Sequence, residues 1–436
     1  GGVDDDFVAG HSNGFKEVLA DLAGSERARL ERICGVERGD IDCAVEMINS
    51  STRGVIMWAM GVTHHERGVD NVLALANLAM ARGWLGKTGA GLLPLRGHSN
   101  VQGVGSCGVA PALKQAFAGR IEEIYGFKLP VAEGQDTYAS MEAAHGGRIK
   151  AAFLLGGNLF ASNPDRAWAA EALGNISTTV YVSTKLNEGH VLGRGRTTII
   201  LPALARDEEG QATTQESMFN LVRLSTGGRP NLEGEMRSEV DIIAAFAERI
   251  LPAERFNWSE LRSHRALREA MAEAVPGYRA ASAIDRGGGE FRVEGRTFHS
   301  PRFATSDGRA RFHVTATSGF EPPEGAMRMM TLRSEGQFNT VVYDQEDLYR
   351  GNRRRDVLMV SAADARALGL GEGDGVVVEN EVGSLELAAA IVDIRPGNLA
   401  MYYPEANALV PRRLDPRSRT PAFKSVAVRV RPVTAR

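Results

Sequence analysis

Continuous apolar runs that each lead through a turn into a helix-period segment constrain this chain most. VIMWAM (55–60), AAFLLGG (151–157), TTVYVST (178–184) and TTIILPA (197–203) do not alternate apolar with polar residues. They therefore predict strands covered on both faces, as in a parallel sheet between helices. After the first run, THHERG makes a turn and the spacing predicts an apolar helix over 69–82, closed by Gly83. Strand, turn and helix at this spacing form a βα unit, so the fold class is α/β. Other helices are predicted over 14–23, over 40–50 with Asp40 as cap, over 238–251 and over 257–274. Asn163, followed by Pro164, predicts a further helix start, with Gly174 as its end.

The texture then changes. AIDRGGGEFRVEGR (283–296) reads as a flexible polar linker. Beyond about residue 326, MRMMTLR, DVLMV, GVVVEN, SLELAAAIV, NLAMYY and SVAVRV are strand-like, with one helix in SAADARALGL entered through Ser361 and closed by Gly369. Closely spaced short strands predict a barrel.

Between the first βα unit and the second lies WLGKTGAGLLPLRGHSNVQGVGSCG (84–108), which fits neither helix nor strand periodicity. A connection this long inside a well-patterned chain is usually functional. Its glycines, Gly86, Gly89, Gly91, Gly97, Gly103, Gly105 and Gly108, permit close backbone approach to a ligand. Arg96 is the one permanent cation of the central run and suits the orientation of an anion.

Charge excludes several functions. Lys plus Arg number 51 against 54 Asp plus Glu, which favours neither nucleic acid nor a membrane surface as partner. No apolar run reaches transmembrane length, and GGVDDDFVAG resembles no leader, so a cytoplasmic protein is expected. Cys34, Cys43 and Cys107 are too few for a four-thiolate cluster and are expected to be reduced and mostly buried.

Other motifs are weaker. Gly103 to Gly108 matches G-x-G-x-x-G, but no strand precedes it and Pro111 follows, so a nicotinamide dinucleotide site is not expected. Gly86-Lys87-Thr88 ends like a P-loop whose first glycine position is Ala81 instead. His64, His65 and Glu66 are adjacent, so their side chains should diverge from any common metal, and no residue is a convincing metal ligand. Gly156, Gly157 and Asn158 stand at a strand's carboxyl end, where open α/β sheets bind ligands. Ser183, Thr184, Lys185 and Asn187 stand at the next. Arg333-Ser334 with Gln337 and Asn339 form a polar cluster after the first barrel strand, and Arg353, Arg354 and Arg355 read as a solvated face.

RGHSNVQG, with the preceding GVTHHERGVDNVLALANLAMARGWLGKTGAG, resembles the mid-chain signature of molybdopterin oxidoreductases. It is most similar to formate-dehydrogenase-like alpha subunits. LLGGNLFASNPD, VSTKLNEGH, QATTQESMFNLVRLS, LRSEGQFNTVVYDQEDLYRG, YYPEANALVP and TPAFKSVAVRV extend the likeness almost to the end. The family's N-terminal half, with its iron-sulfur module and metal-ligand position, has no counterpart here. The resemblance implies the C-terminal part of one α/β cofactor domain (1–96), a second α/β cofactor-binding domain (97–282), a linker (283–325) and a double-psi β-barrel (326–436). It implies bis(molybdopterin guanine dinucleotide) carrying molybdenum or tungsten, with any iron-sulfur cluster in the missing part. Gly156, Gly157, Asn158, Ser183, Thr184, Lys185, Asn187, Arg333, Ser334, Gln337, Asn339, Tyr403, Asn407 and Lys424 would contact the pterin dinucleotides. Arg96 and His98 would be catalytic towards a small anionic substrate. Formate dehydrogenases commonly carry glutamine where His98 stands, which argues against formate itself. The expected partners are the substrate and either an N-terminal half or an electron-transfer subunit. The alternative is a cofactor-binding scaffold that is inactive until such a half completes it.

Overall fold

In a computed structural model, which describes residues 2–252, 256–296, 299–317 and 319–433, the chain divides into two compact units. Gly1–Leu95, Thr297–Arg333 and Arg350–Arg436 form one, and Arg96–Arg296 with Ser334–Tyr349 forms the other. The class is α/β with parallel sheets and a closed barrel, as the apolar runs predict. Among the described residues no helix is long and apolar enough to cross a membrane.

The first unit opens with helices and a parallel pair, β1 (Val55–Trp58) beside β2 (Gly91–Pro94), joined through the helix Gly68–Ala81. The stretch 84–108 is thus not wholly irregular: it holds β2 and a short helix, Val101–Ser106. Its period escapes detection because each element spans six residues or fewer. Four of its seven glycines, Gly86, Gly89, Gly91 and Gly108, take left-handed φ, whereas Gly97 does not and has open space around it. β1 is not covered on both faces, since Val55 and Met57 are exposed. The helix expected to start at Asp40 runs Arg38–Ser50 after Glu37, with no side-chain cap. Cys34 and Cys43 are exposed rather than buried.

The second unit is built on a parallel sheet of β3 (Ala151–Leu155), β4 (Thr178–Ser183) and β5 (Thr197–Pro202), with β4 in the middle. Only β4 is buried nearly throughout, and Phe153, Leu155, Ile199 and Ile200 on its neighbours are exposed. The crossover helix is Arg166–Gly174, capped by Asp165 rather than by Asn163, whose buried amide donates to Leu159 O at 2.7 Å. A short antiparallel sheet follows from β6 (Thr213–Glu216), β7 (Leu221–Ser225) and β8 (Phe291–Arg292). The helix read over 257–274 is a 3-10 turn and then His264–Ala274. The segment 283–296 is no flexible linker here: Ile284 and Val293 are buried with Val222 and Tyr278, and β8 pairs with β7. Its polar, glycine-rich composition hides these few core residues.

Six strands close the barrel of the first unit: β9 (Met327–Leu332), β10 (Val357–Val360), β11 (Gly375–Glu379), β12 (Ser384–Ile391), β13 (Asn398–Tyr402) and β14 (Val426–Pro432). Their order is β9-β13-β10-β12-β11-β14, with β14 returning antiparallel to β9. The pairs β9·β13 and β10·β12 are parallel and the rest antiparallel, the interlocked arrangement of a double-psi β-barrel. Leu358 and Val360 point into the main core with Leu399 and Met401. The alternate residues Val357, Met359, Ala400 and Tyr402 fill a second cluster on the other face. Burial on both faces explains why these strands read as unbroken apolar runs. The helix Ala362–Leu368 is capped by Ser361, whose Oγ accepts from the Asp364 amide at 3.0 Å. Arg355 is not on a solvated face. It is 4% exposed and forks onto both Glu405 carboxylate oxygens at 2.6 and 3.0 Å while donating to Tyr403 O.

Candidate functional site

In the first unit, the turn after β1 meets the segment that leads into β14. Lys424 N–H donates to His64 O at 3.0 Å, and its Nζ donates to Thr331 O on β9. His65 Nε2–H donates to Gly61 O at 2.9 Å, so Nδ1 accepts from Ser425 Oγ at 3.0 Å. The His64 ring packs against Phe423 at 5.2 Å, and Phe423 meets Tyr403 edge-on at 5.9 Å. The Arg333 guanidinium lies 5.1 Å from the Tyr403 ring centroid.

Four side chains able to carry positive charge, His64, His65, Arg333 and Lys424, are thereby gathered from distant segments. Burial first, then repulsion from Lys424, Arg333 and His65, brings the His64 imidazole down to about 4. Burial and Arg333 bring Lys424 down to about 8. Burial also lowers His65 and raises the Tyr403 phenol. Mutual repulsion in a partly desolvated place is relieved when an anion arrives, so the cluster is built for negative charge. Asn407 is fully buried on the 3-10 turn after β13, its N–H donating to Pro404 O.

In the second unit, the carboxyl ends of β3 and β4 bring together Gly156, Gly157, Asn158, Ser183 and Asn187. Gly156 and Gly157 both take left-handed φ, +69° and +70°, and a Cβ on Gly157 would meet open space. Asn158 is buried; its Oδ1 accepts from Ala161 N–H at 3.0 Å, capping one helical turn. Asn187 Oδ1 accepts from Gly189 N–H at 2.9 Å, and its amide reaches Gly157 O at 3.4 Å. His190, also buried, accepts the Asn187 N–H at Nδ1 (3.1 Å), so its proton sits on Nε2 and is donated to Ser183 Oγ at 3.0 Å. Ser183 therefore receives a hydrogen bond from its histidine and is not activated as a nucleophile. Burial lowers His190 and keeps this ring neutral. Thr184 and Lys185 stand exposed beside the group. The Glu239 carboxyl lies 3.9 Å from where a Gly156 Cβ would be, and burial raises its pKa.

Elsewhere in the same unit, Ser334 N–H donates to Gln337 Oε1 at 3.4 Å, and Gln337 Nε2 to Asn339 O at 3.1 Å. Asn339 Oδ1 accepts from the Val341 and Val342 amides, which shapes a tight turn. His98 Nε2–H donates to Phe338 O of that turn at 2.7 Å. Arg96 is exposed and has no hydrogen bond or ion pair among the described residues. Burial, with Glu216 nearby, pushes the Cys107 thiol up to about 11, so it stays protonated. Among the described residues no group of three or more His, Cys, Asp or Glu side chains could hold a metal ion.

Sequence reasoning missed His64, His65, His190 and Glu239. His64 and His65 looked inert because adjacent residues diverge, yet each meets a different partner in 423–425. The only signal was two histidines in a turn at a strand's carboxyl end.

Fold and site together define an α/β protein carrying a double-psi barrel domain and a basic, aromatic-lined polar cluster. Residues 39–249 match the model of the family described as molybdopterin oxidoreductase, and residues 327–427 that of the molydopterin dinucleotide binding domain. The chain belongs to the molybdopterin oxidoreductase family. It is 34% identical over 467 residues to an uncharacterized oxidoreductase of Mycobacterium tuberculosis, covering 99% of this chain and 58% of that protein. It is 26% identical over 467 residues to formate dehydrogenase H of Escherichia coli, covering 98% of this chain and 62% of that protein. The structure of acetylene hydratase from Pelobacter acetylenicus shares the fold, with a TM-score of 0.66 at 16% identity over 99% of this chain and 68% of that one. The chain thus spans less than two thirds of the curated relatives it matches.

Proposed function

We propose that this chain is part of a bis(molybdopterin guanine dinucleotide) oxidoreductase, loaded with molybdenum or tungsten, that acts on a small anionic substrate. The observation that carries the reading is the gathering of His64, His65, Arg333 and Lys424 in one partly buried place, where burial first and mutual repulsion second lower His64 and Lys424. Pyrophosphate-bearing pterin nucleotides supply the negative charge that this donor set lacks. Arg333 and Lys424 would hold such a group by charge, with Tyr403 beside them. Gly156 and Gly157 leave space for a ligand edge, and Ser183, Thr184, Lys185 and Asn187 would bind the nucleotide end. When bound, the cofactor supplies the two-electron redox chemistry, and the protein supplies burial, orientation and electrostatics. Arg96, an uncommitted fork of donors, would orient the substrate anion. His98 would move a proton near it, its Nε2–H now held by Phe338 O and its Nδ1 the acceptor.

Metal and pterin analysis of the purified chain, alone and coexpressed with an N-terminal half, tests this. Stoichiometric pterin with molybdenum or tungsten in the coexpressed sample is expected, and little in the chain alone. That contrast also bears on the second reading, a cofactor-binding scaffold that is inactive until an N-terminal half completes it. Absence of pterin and metal from both samples would overturn the proposal.

A further inference from the structure

One buried carboxylate in the second unit has no part in the function proposed above. The Glu216 side chain, at the end of β6, is 0% exposed. Burying a carboxylate this completely requires partners for its oxygens. Ser106 Oγ donates to Oε2 at 2.7 Å, Tyr278 Oη donates to the same oxygen at 2.5 Å, and Arg296 pairs with Oε1. Arg296 also donates to Ser106 Oγ at 2.7 Å, which closes the network.

Two of the bonds tie down the helix Val101–Ser106, which directly follows the Arg96–His98 segment. Ser106 is the last residue of that helix. At its other end, Asn100 takes a left-handed φ of +64° and its Oδ1 accepts from the Glu216 backbone N–H at 3.0 Å. A Cβ on Gly103 would collide with that Oδ1, so glycine there makes room for the contact. On the open side, Ser99 donates to Gln215, and Arg206 donates to both at 2.7 Å. The backbone leaving His98 is therefore pinned to consecutive residues of β6, while 94–99 is exposed.

We propose that Glu216 is the positioning residue for the Arg96–His98 segment, its carboxylate and amide holding the two ends of the following helix so that the segment leaves the fold in one geometry. This rests on the reading that Arg96 meets the substrate. Glu216 touches neither substrate nor cofactor and acts only through the helix.

Hydrogen exchange by mass spectrometry, on the chain as it stands, reads the pinning without any activity. Glu216→Gln should speed exchange of the 101–107 amides by about ten-fold or more, as expected for local opening after loss of charged hydrogen bonds. Tyr278→Phe, which removes one donor and leaves no buried charge unpaired, should speed the same amides by a smaller factor, and Glu216→Asp should partly restore protection. In the loaded enzyme, Glu216→Gln should lower kcat more than it raises KM, and adding Arg96→Lys should cost little further, because both act through one contact. Unchanged exchange over 101–107 in folded Glu216→Gln and Tyr278→Phe chains overturns the proposal, even if Arg96→Lys harms turnover. Faster exchange with a harmless Arg96→Lys leaves the positioning role standing and removes the substrate reading instead.

Discussion

Replacing Lys424 by Met should stabilise the cofactor-free chain while weakening its hold on the cofactor. The lysine is held at about 8 against an ordinary 10.5. That difference of about 2.5 units, at about 1.36 kcal/mol each, means its charged form costs the fold roughly 3 kcal/mol at neutral pH, trimmed to about 2–3 by screening at its partly open side. Met keeps the apolar stem and removes the charge. It also strands Thr331 O, now served by Nζ, at about 1 kcal/mol, so the net gain is roughly 1–2 kcal/mol. The sign fixes the pH window. Below about pH 8 the lysine is charged in both folded and unfolded states and the cost is present in full; between about 8 and 10.5 the folded state releases its proton first, and stability rises with pH. Urea melts of cofactor-free wild type and Lys424→Met from pH 7 to 10.5 should show the variant ahead at pH 7 and the gap closing with pH. Pterin retention in the loaded protein should fall about ten-fold for about 1.4 kcal/mol of lost charge-assisted contact. A variant less stable than wild type at pH 7 without cofactor would refute the reasoning, since Lys424 would then be a satisfied structural residue.

Arg96→Lys should retain cofactor yet lose about ten-fold in kcat/KM per 1.4 kcal/mol of lost transition-state contact; release of pterin instead would make the arginine a cofactor clamp. Gly157→Val places a branched side chain at a φ of +70°, costing roughly 1–2 kcal/mol, and should lower both the urea midpoint and pterin content; an unchanged midpoint would show that the turn relaxes freely.

Local pattern in the sequence is enough to set the α/β class and the strands of the parallel sheet and barrel. Strands such as β4, β10 and β13 are buried along nearly their whole length, so composition alone marks them. The Ser361 cap was legible for a similar reason, being local to four residues. Elsewhere local reading chose the wrong neighbour, Asn163 for Asp165, because two residues of capping type lie within one turn and only the helix's actual start selects between them. Tertiary structure alone decided the sites. Arg355 lost its solvated role to Glu405, 50 positions away, and His64 acquired its low titration from burial first and then from Lys424 and Arg333. His65 found Ser425 across 360 positions. Spacing within one segment carries no information about what the closure of a barrel brings against it, and it is that long-range juxtaposition, through desolvation and charge repulsion, that makes two adjacent histidines part of a basic cluster.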